Sequence, residues 1–201
     1  VRGSRSRTRS RRERGAALVE AAIIFPVLTL FVFGIIEYGF VFKDSLTVTS
    51  ATRSGVRTAA ALAKDPNYAT QAASAVASAV GAVASDSPQI LWIYKAGPNG
   101  RPCVDQACAT ENANFSINCT VCYRYSWNAI SKTWTDTGGT SWTALNQNAC
   151  SSSSSTPDSV GVYLKANHKF FTSLFGSTKT LTDSTVMRLE PRPAASCGVG
   201  T

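Results

Sequence analysis

Residues 16–42 read AALVEAAIIFPVLTLFVFGIIEYGFVF, and their only charges are Glu20 and Glu37. A helix that crosses a bilayer needs about 20 mainly apolar residues. This run is long enough. It also exceeds the roughly 7–15-residue apolar core of a cleavable secretory signal. An ordinary signal peptide, cut in the Ala-rich stretch 58–63, is the rival reading, and the length of the run disfavours it. Pro26 removes one backbone donor inside the run and is expected to kink the helix without ending it.

The basic residues decide which way such a helix points. The chain has a formal charge of +8, with 20 Lys and Arg against 12 Asp and Glu. Seven of the arginines are Arg2, Arg5, Arg7, Arg9, Arg11, Arg12 and Arg14, and Glu13 is their single acidic neighbour. The rest of the chain is close to neutral. Arginines abutting a membrane span place that end in the cytoplasm. Residues 1–15 are therefore expected to be a basic cytoplasmic leader, and the remainder after the span extracytoplasmic. A nucleic-acid-binding arm is the other use of such a head. Here it runs into the apolar helix without spacer or interleaved aromatics, and orientation is a sufficient explanation.

Beyond the span, no proline or paired-glycine break occurs before Asp65-Pro66, so one helix is expected from about 16 to 63, its lower part in lipid and its upper part projecting. Asp65 as N-cap and Pro66 at the first turn suit the start of a second helix. In that helix Val76, Val80 and Val83, with Ala72 and Ala73 beside them, form an apolar stripe. After Pro88 the period changes to two. Strands are expected over 89–95, 114–127, the hairpin return at 132–136, 159–171 and 179–191. In 114–127, Phe115, Ile117, Cys119, Val121, Tyr123, Tyr125 and Trp127 share one face. The fold class is α+β: a long N-terminal transmembrane and projecting helix, a second short helix and an antiparallel β-sheet domain over 64–201.

The chemistry expected of an enzyme is sparse. His168 is the single histidine, with no nucleophile motif near it, and a solvated position in a polar strand is expected for it. Neither a phosphate-cradling loop nor a paired-carboxylate motif is evident, and no cofactor is implied. The six cysteines, Cys103, Cys108, Cys119, Cys122, Cys150 and Cys197, all lie in the second half. A four-thiolate zinc site is one use of them; disulfides in an oxidising compartment are the better one. On a continuous strand Cys119 and Cys122 face opposite sides, so each is expected to bond elsewhere. Cys103–Cys108 closes a small loop and is the favoured pair among fifteen pairings.

A basic head, a glycine, a glutamate five residues later and a membrane-length helix together resemble a type IV prepilin signal. Residues 14–42, with Pro26 and the Gly34, Glu37, Tyr38 and Gly39 group, are similar to the N-terminal motif of the TadE-like pseudopilins of tight-adherence pilus systems. SATRSGVRTAA (50–60) and STVMRLEP (184–191) resemble further segments of that family. The resemblance implies a pilin-like fold and cleavage between Gly15 and Ala16 by a prepilin peptidase. It implies that Glu20, as the fifth mature residue, pairs with a neighbouring subunit's new amine. It also implies pilin subunits, a cytoplasmic-membrane assembly platform and lipid as partners, with no nucleic acid and no metal. Glu37 has two readings: snorkelling at the interface, or an inter-subunit pair with Arg53 or Arg57. The expected function is that of a minor pseudopilin in pilus assembly or adhesion. A membrane-anchored extracytoplasmic binding protein outside any pilus is the alternative.

Overall fold

The computed structural model describes residues 7–84, 87–112, 114–115, 119–139, 142–150, 156–172 and 176–192. Helix α1 runs from Arg7 to Ala61 and passes Pro26 without a break. Just above that proline, Thr29 Oγ1 donates to the Phe25 carbonyl at 2.8 Å. The helix ends at Ala61, and Lys64 adopts a positive φ of 65° before Pro66 redirects the chain. Helix α2, Tyr68–Ala79, continues into a 3-10 turn at Val80–Ala82. It starts later than Asp65-Pro66 suggested. The Asp65 carboxylate accepts the Asn67 N–H at 2.7 Å, so it closes a local turn, and Asn67 occupies the N-cap position.

Five strands follow: β1 Pro88–Ala96, β2 Cys122–Asn128, β3 Thr133–Gly138, β4 Ser159–Lys169 and β5 Thr178–Arg188. They form one sheet in the order β3-β2-β1-β4-β5, with every neighbouring pair antiparallel. The expected α+β class, with its long apolar helix, short second helix and antiparallel sheet, is what the chain folds into.

Both helices lie on one face of the sheet. Alternation along β1 shows the division: Leu91 and Ile93 join the core under the helices, and Trp92 and Tyr94 point the other way. The core receives Val41, Val48, Ala51, Val56, Ala59 and Ala60 from α1, and Ala69, Ala72, Ala73 and Val76 from α2. Alanine and glycine at these positions let the helices approach closely. A Cβ built on Gly55 would come within 2.5 Å of Val76 Cγ2. On the opposite face, Trp92, Tyr94 and Tyr163 pack against Phe115, whose ring stacks on Tyr163 with centroids 4.3 Å apart.

That placement of Phe115 corrects one sequence expectation. Phe115 does not share a face with Tyr123 and Tyr125, because strand β2 begins only at Cys122. Cys119 and Cys122 are disulfide-bonded to each other with their Cα atoms 5.9 Å apart. Three residues of extended chain would span about 10 Å, so a turn replaces the strand there. The strand-phase argument that sends Cys119 and Cys122 to other partners therefore fails. Cys103 and Cys108 form the other described pair, Cα atoms 4.9 Å apart. Cys150 is also disulfide-bonded, and Cys197 lies outside the described residues, as does the serine run 151–155.

The packing makes two properties testable. Gly55→Leu overfills the α1–α2 contact and is expected to destabilise the fold by roughly 1–3 kcal/mol, read as a lowered midpoint in a thermal melt of the detergent-solubilised chain. The second concerns buried tyrosines. Tyr68 lies edge-on to Tyr123 and Trp142 and donates its hydroxyl to the Trp142 carbonyl at 2.8 Å. Burial raises the Tyr68 and Tyr94 phenols above their ordinary value and pushes Tyr125 up to about 12. An unfolded tyrosine ionises near about 10. The stability from keeping these phenols neutral is therefore complete below about pH 10 and is lost as pH rises from there towards 12. Denaturant midpoints should fall as the pH is raised from about 9 to about 11, and tyrosinate absorbance from these rings should appear together with unfolding.

Candidate functional site

The residues singled out from the N-terminal sequence lie along α1, whose two halves differ in exposure. From Gly15 to Ile36 almost every side chain is exposed, including Leu18, Ile23, Phe25, Phe31 and Ile35. By length and composition this stretch is long and apolar enough to cross a membrane, consistent with a single-pass anchor. From Glu37 upward a buried stripe appears at Glu37, Val41, Asp44, Val48, Ala51, Thr52, Val56 and Ala59. The spacing of three and four residues keeps it on one helix face.

Polar residues of this stripe meet partners on the sheet. The Glu37 side chain is 1% exposed. Its carboxylate accepts the Phe171 N–H at 3.1 Å, the Thr172 hydroxyl at 2.7 Å and the Thr172 N–H. Two turns higher, Asp44 Oδ2 lies 2.7 Å from His168 Nδ1. Higher still, Thr52 Oγ1 donates to Asp183 Oδ2 at 2.7 Å and lies 2.9 Å from Thr185 Oγ1. At the top, the Ala60 carbonyl accepts the Glu190 N–H, and the Ala63 carbonyl accepts the Arg192 guanidinium. Strands β4 and β5 and the segment after them are thus tied to α1 along its whole upper half.

His168 is 5% exposed, so it is not the solvated strand residue expected from its polar neighbours. Its neighbours along the chain, Asn167 and Lys169, are polar because they lie on the other side of β4. Nδ1 faces the helix and meets Asp44. An imidazole–carboxylate pair can activate a nucleophile. Here no hydroxyl or thiol among the described residues is bonded to His168 Nε2, which is buried. The arrangement holds the helix to the sheet.

The residues singled out at the N-terminal end are arranged differently. Gly15, Ala16 and Glu20 are all exposed on α1. A Cβ on Gly15 would meet nothing within 4 Å. Packing in this chain therefore does not require the glycine, although glycine in a helix interior costs roughly 0.5–1 kcal/mol against alanine. Glu20 stands one turn above Ala16 on the same face. Arg53 and Arg57 are exposed, one turn apart, on the side of α1 away from the sheet. They lie about 24 Å and 30 Å above Glu37 at 1.5 Å per residue. The Glu37 carboxylate is satisfied within its own chain, so pairing with Arg53 or Arg57 of a neighbour would first require displacing Phe171 and Thr172.

Elsewhere, a surface depression of about 590 Å³ lies at the end of the sheet near Gly97, Ala107 and Pro157. Its charged lining is the Lys95–Asp158 pair at 3.1 Å, together with Arg188. Among the described residues, no group of three His, Cys, Asp or Glu side chains is gathered to hold a metal ion.

A long apolar helix whose upper half is built into an α+β domain is consistent with one class, the single-pass, membrane-anchored proteins. Within that class, residues 15–57 match the family model described as TadE-like protein, consistent with a tight-adherence pilus protein. No curated protein and no solved structure matches the chain. The matched segment begins at Gly15, includes Glu20 and Glu37 and ends at Arg57, so it covers the anchor and most of the stripe that holds the sheet.

The Asp44–His168 pair yields a prediction of its own. Asp44→Ala removes one partner and leaves the buried imidazole unsatisfied, at an expected cost of about 3 kcal/mol. Asp44→Leu combined with His168→Leu should recover part of it. Chemical denaturation of the detergent-solubilised chain measures these and the single variants Asp44→Leu and His168→Leu, and a double-variant loss equal to the sum of those two singles would show that the two side chains do not interact.

Proposed function

We propose that the chain is a minor pseudopilin of a tight-adherence pilus, cut after Gly15 by a prepilin peptidase on the cytoplasmic face. The observation that carries this reading is the TadE-like match, which starts at Gly15 and runs along the anchor. The physical chemistry of the helix supports it. A cut before Ala16 would leave a helix N-terminus with unsatisfied N–H groups, a positive dipole end and a new amine in or near lipid. A carboxylate is the natural partner for that end. Glu20 of an adjacent subunit, exposed on its helix, would supply one at the same depth. An ionised carboxylate costs about 2.5–3.5 kcal/mol at the centre of a membrane helix and less towards its edge. Its retention near the edge fits a role in subunit pairing.

In this reading the arginine-rich residues before Gly15 lie in the cytoplasm and the α+β domain lies outside, where its cysteines oxidise. The protein works as a structural subunit and not as an enzyme. Its partners are the peptidase, other pilin subunits, the assembly platform in the cytoplasmic membrane and the lipid itself.

The test is to express the full chain with its cognate prepilin peptidase and determine the mature N-terminus by mass spectrometry. Ala16 is expected as the first residue, and Gly15→Ala should block the cut. Glu20→Ala should leave membrane insertion intact and reduce piliation. A chain that keeps its leader while supporting normal piliation would overturn the processing step, and unchanged piliation in Glu20→Ala would overturn the role of the glutamate.

A further inference from the structure

The Glu37 contacts fix a height. Gly15–Ile36 is 22 residues long, which at 1.5 Å per residue spans about 33 Å, close to the roughly 30 Å hydrocarbon thickness of a bilayer. Glu37 therefore stands where the acyl chains give way to headgroups on the side of the α+β domain. Phe171 and Thr172 donate to its carboxylate, so this end of the β4–β5 connection stands at the same level. The Phe171 side chain is nevertheless 85% exposed. A large apolar ring has no evident reason to face water at that level, and a good reason to face lipid.

We propose that the chain just after β4 makes a second membrane contact, with Phe171 inserted into the interface of the leaflet nearest the α+β domain. This rests on the membrane-span reading of α1. The surrounding side chains fit an interface. Tyr38, Phe40 and Phe42 are exposed on the helix at this level. Lys169 and Lys179 are exposed beside them, while the Lys43 ammonium donates to the Ala82 carbonyl at 2.7 Å. Aromatic rings flanked by lysines, whose stems lie along apolar surface while their charges reach the phosphates, are the composition of an interfacial belt. The register of the sheet brings a second exposed apolar group to this end: Ile130, in the turn between β2 and β3, is 96% exposed. The lysines favour phospholipid over an apolar patch on a neighbouring subunit as the occupant. A domain held at two points, helix and hairpin, has a fixed tilt on the membrane, which a helix alone would not impose.

The test uses the full chain reconstituted in vesicles of phosphatidylethanolamine and phosphatidylglycerol, with and without brominated acyl chains. Tryptophan is added at one position at a time, and the wild-type emission is subtracted. Ile24→Trp reports the middle of the span. Leu145→Trp reports the far end, near Gln147, whose side chain accepts the Lys64 N–H about 40 Å up the helix from Glu37. Phe171→Trp is expected to be quenched by bromine to within about twofold of Ile24→Trp, as for a side chain in the interface, and most by bromines placed near the headgroups. Leu145→Trp should not be quenched. If Phe171→Trp behaves like Leu145→Trp while Ile24→Trp is quenched, the hairpin contact is wrong and the span stands. The hairpin contact is equally wrong if Phe171→Trp emission is blue-shifted but insensitive to bromine, since protein would then be the occupant. If Ile24→Trp itself is not quenched, the span is wrong, and the hairpin contact falls with it.

Discussion

Helix α1 has to satisfy two surroundings along one continuous backbone, and the rest of the molecule is arranged around that requirement. Its lower half exposes apolar side chains all round, as a membrane span would. Its upper half needs the sheet because one stripe of it is buried and partly polar. The change comes at Glu37, whose carboxylate would be costly in either surrounding without partners. Two residues of the β4–β5 connection supply them. Everything above that point is packed against β4, β5 and α2.

The polar contacts along the stripe matter more for position than for energy. Buried ion pairs are often neutral to stability against apolar replacements of similar shape. A one-residue slip of the helix, however, would rotate Glu37, Asp44 and Thr52 by about 100° and separate them from Thr172, His168 and Asp183 together. The small residues facing α2, Gly55 among them, set how closely the helices approach. The polar pairs select one axial and rotational setting. That setting fixes the height of the sheet along the helix, and with it, if the span reading holds, which turns would face the membrane.

The functional residues fall into two groups for the same reason. Gly15 and Glu20 make no packing contact with the described residues of the domain, so the fold gives no reason for their pattern, and the proposed reading assigns it to a peptidase or another subunit. Such residues are legible from spacing alone, because no packing competes for them. Glu37 is conspicuous in the sequence, but its intrachain partners are not. Phe171 and Thr172 are 134 and 135 residues away, and nothing in the local sequence joins them to it. Asp44 and His168 do not announce themselves as a pair either. The one signal is that Asp44 falls seven residues after Glu37 on the same helix face as Val41 and Val48. A charged residue on an apolar stripe implies a buried partner. The cysteines show the opposite error. Alternation read through Cys119 predicts a strand, whereas a disulfide between residues three apart is itself incompatible with one.

The amino-acid sequence by itself determined what is local: a helix of membrane length, a basic head before it, a glycine and a glutamate five residues apart, and period-two segments that must pair. These follow from hydration of side chains and from backbone geometry over a few residues. Tertiary structure alone decided which polar groups were buried, which cysteines met and which segments of the sheet stand beside the lower part of α1. Those outcomes depend largely on contacts between segments far apart in the chain, where many pairings satisfy the same local pattern and only close packing with full hydrogen bonding selects one.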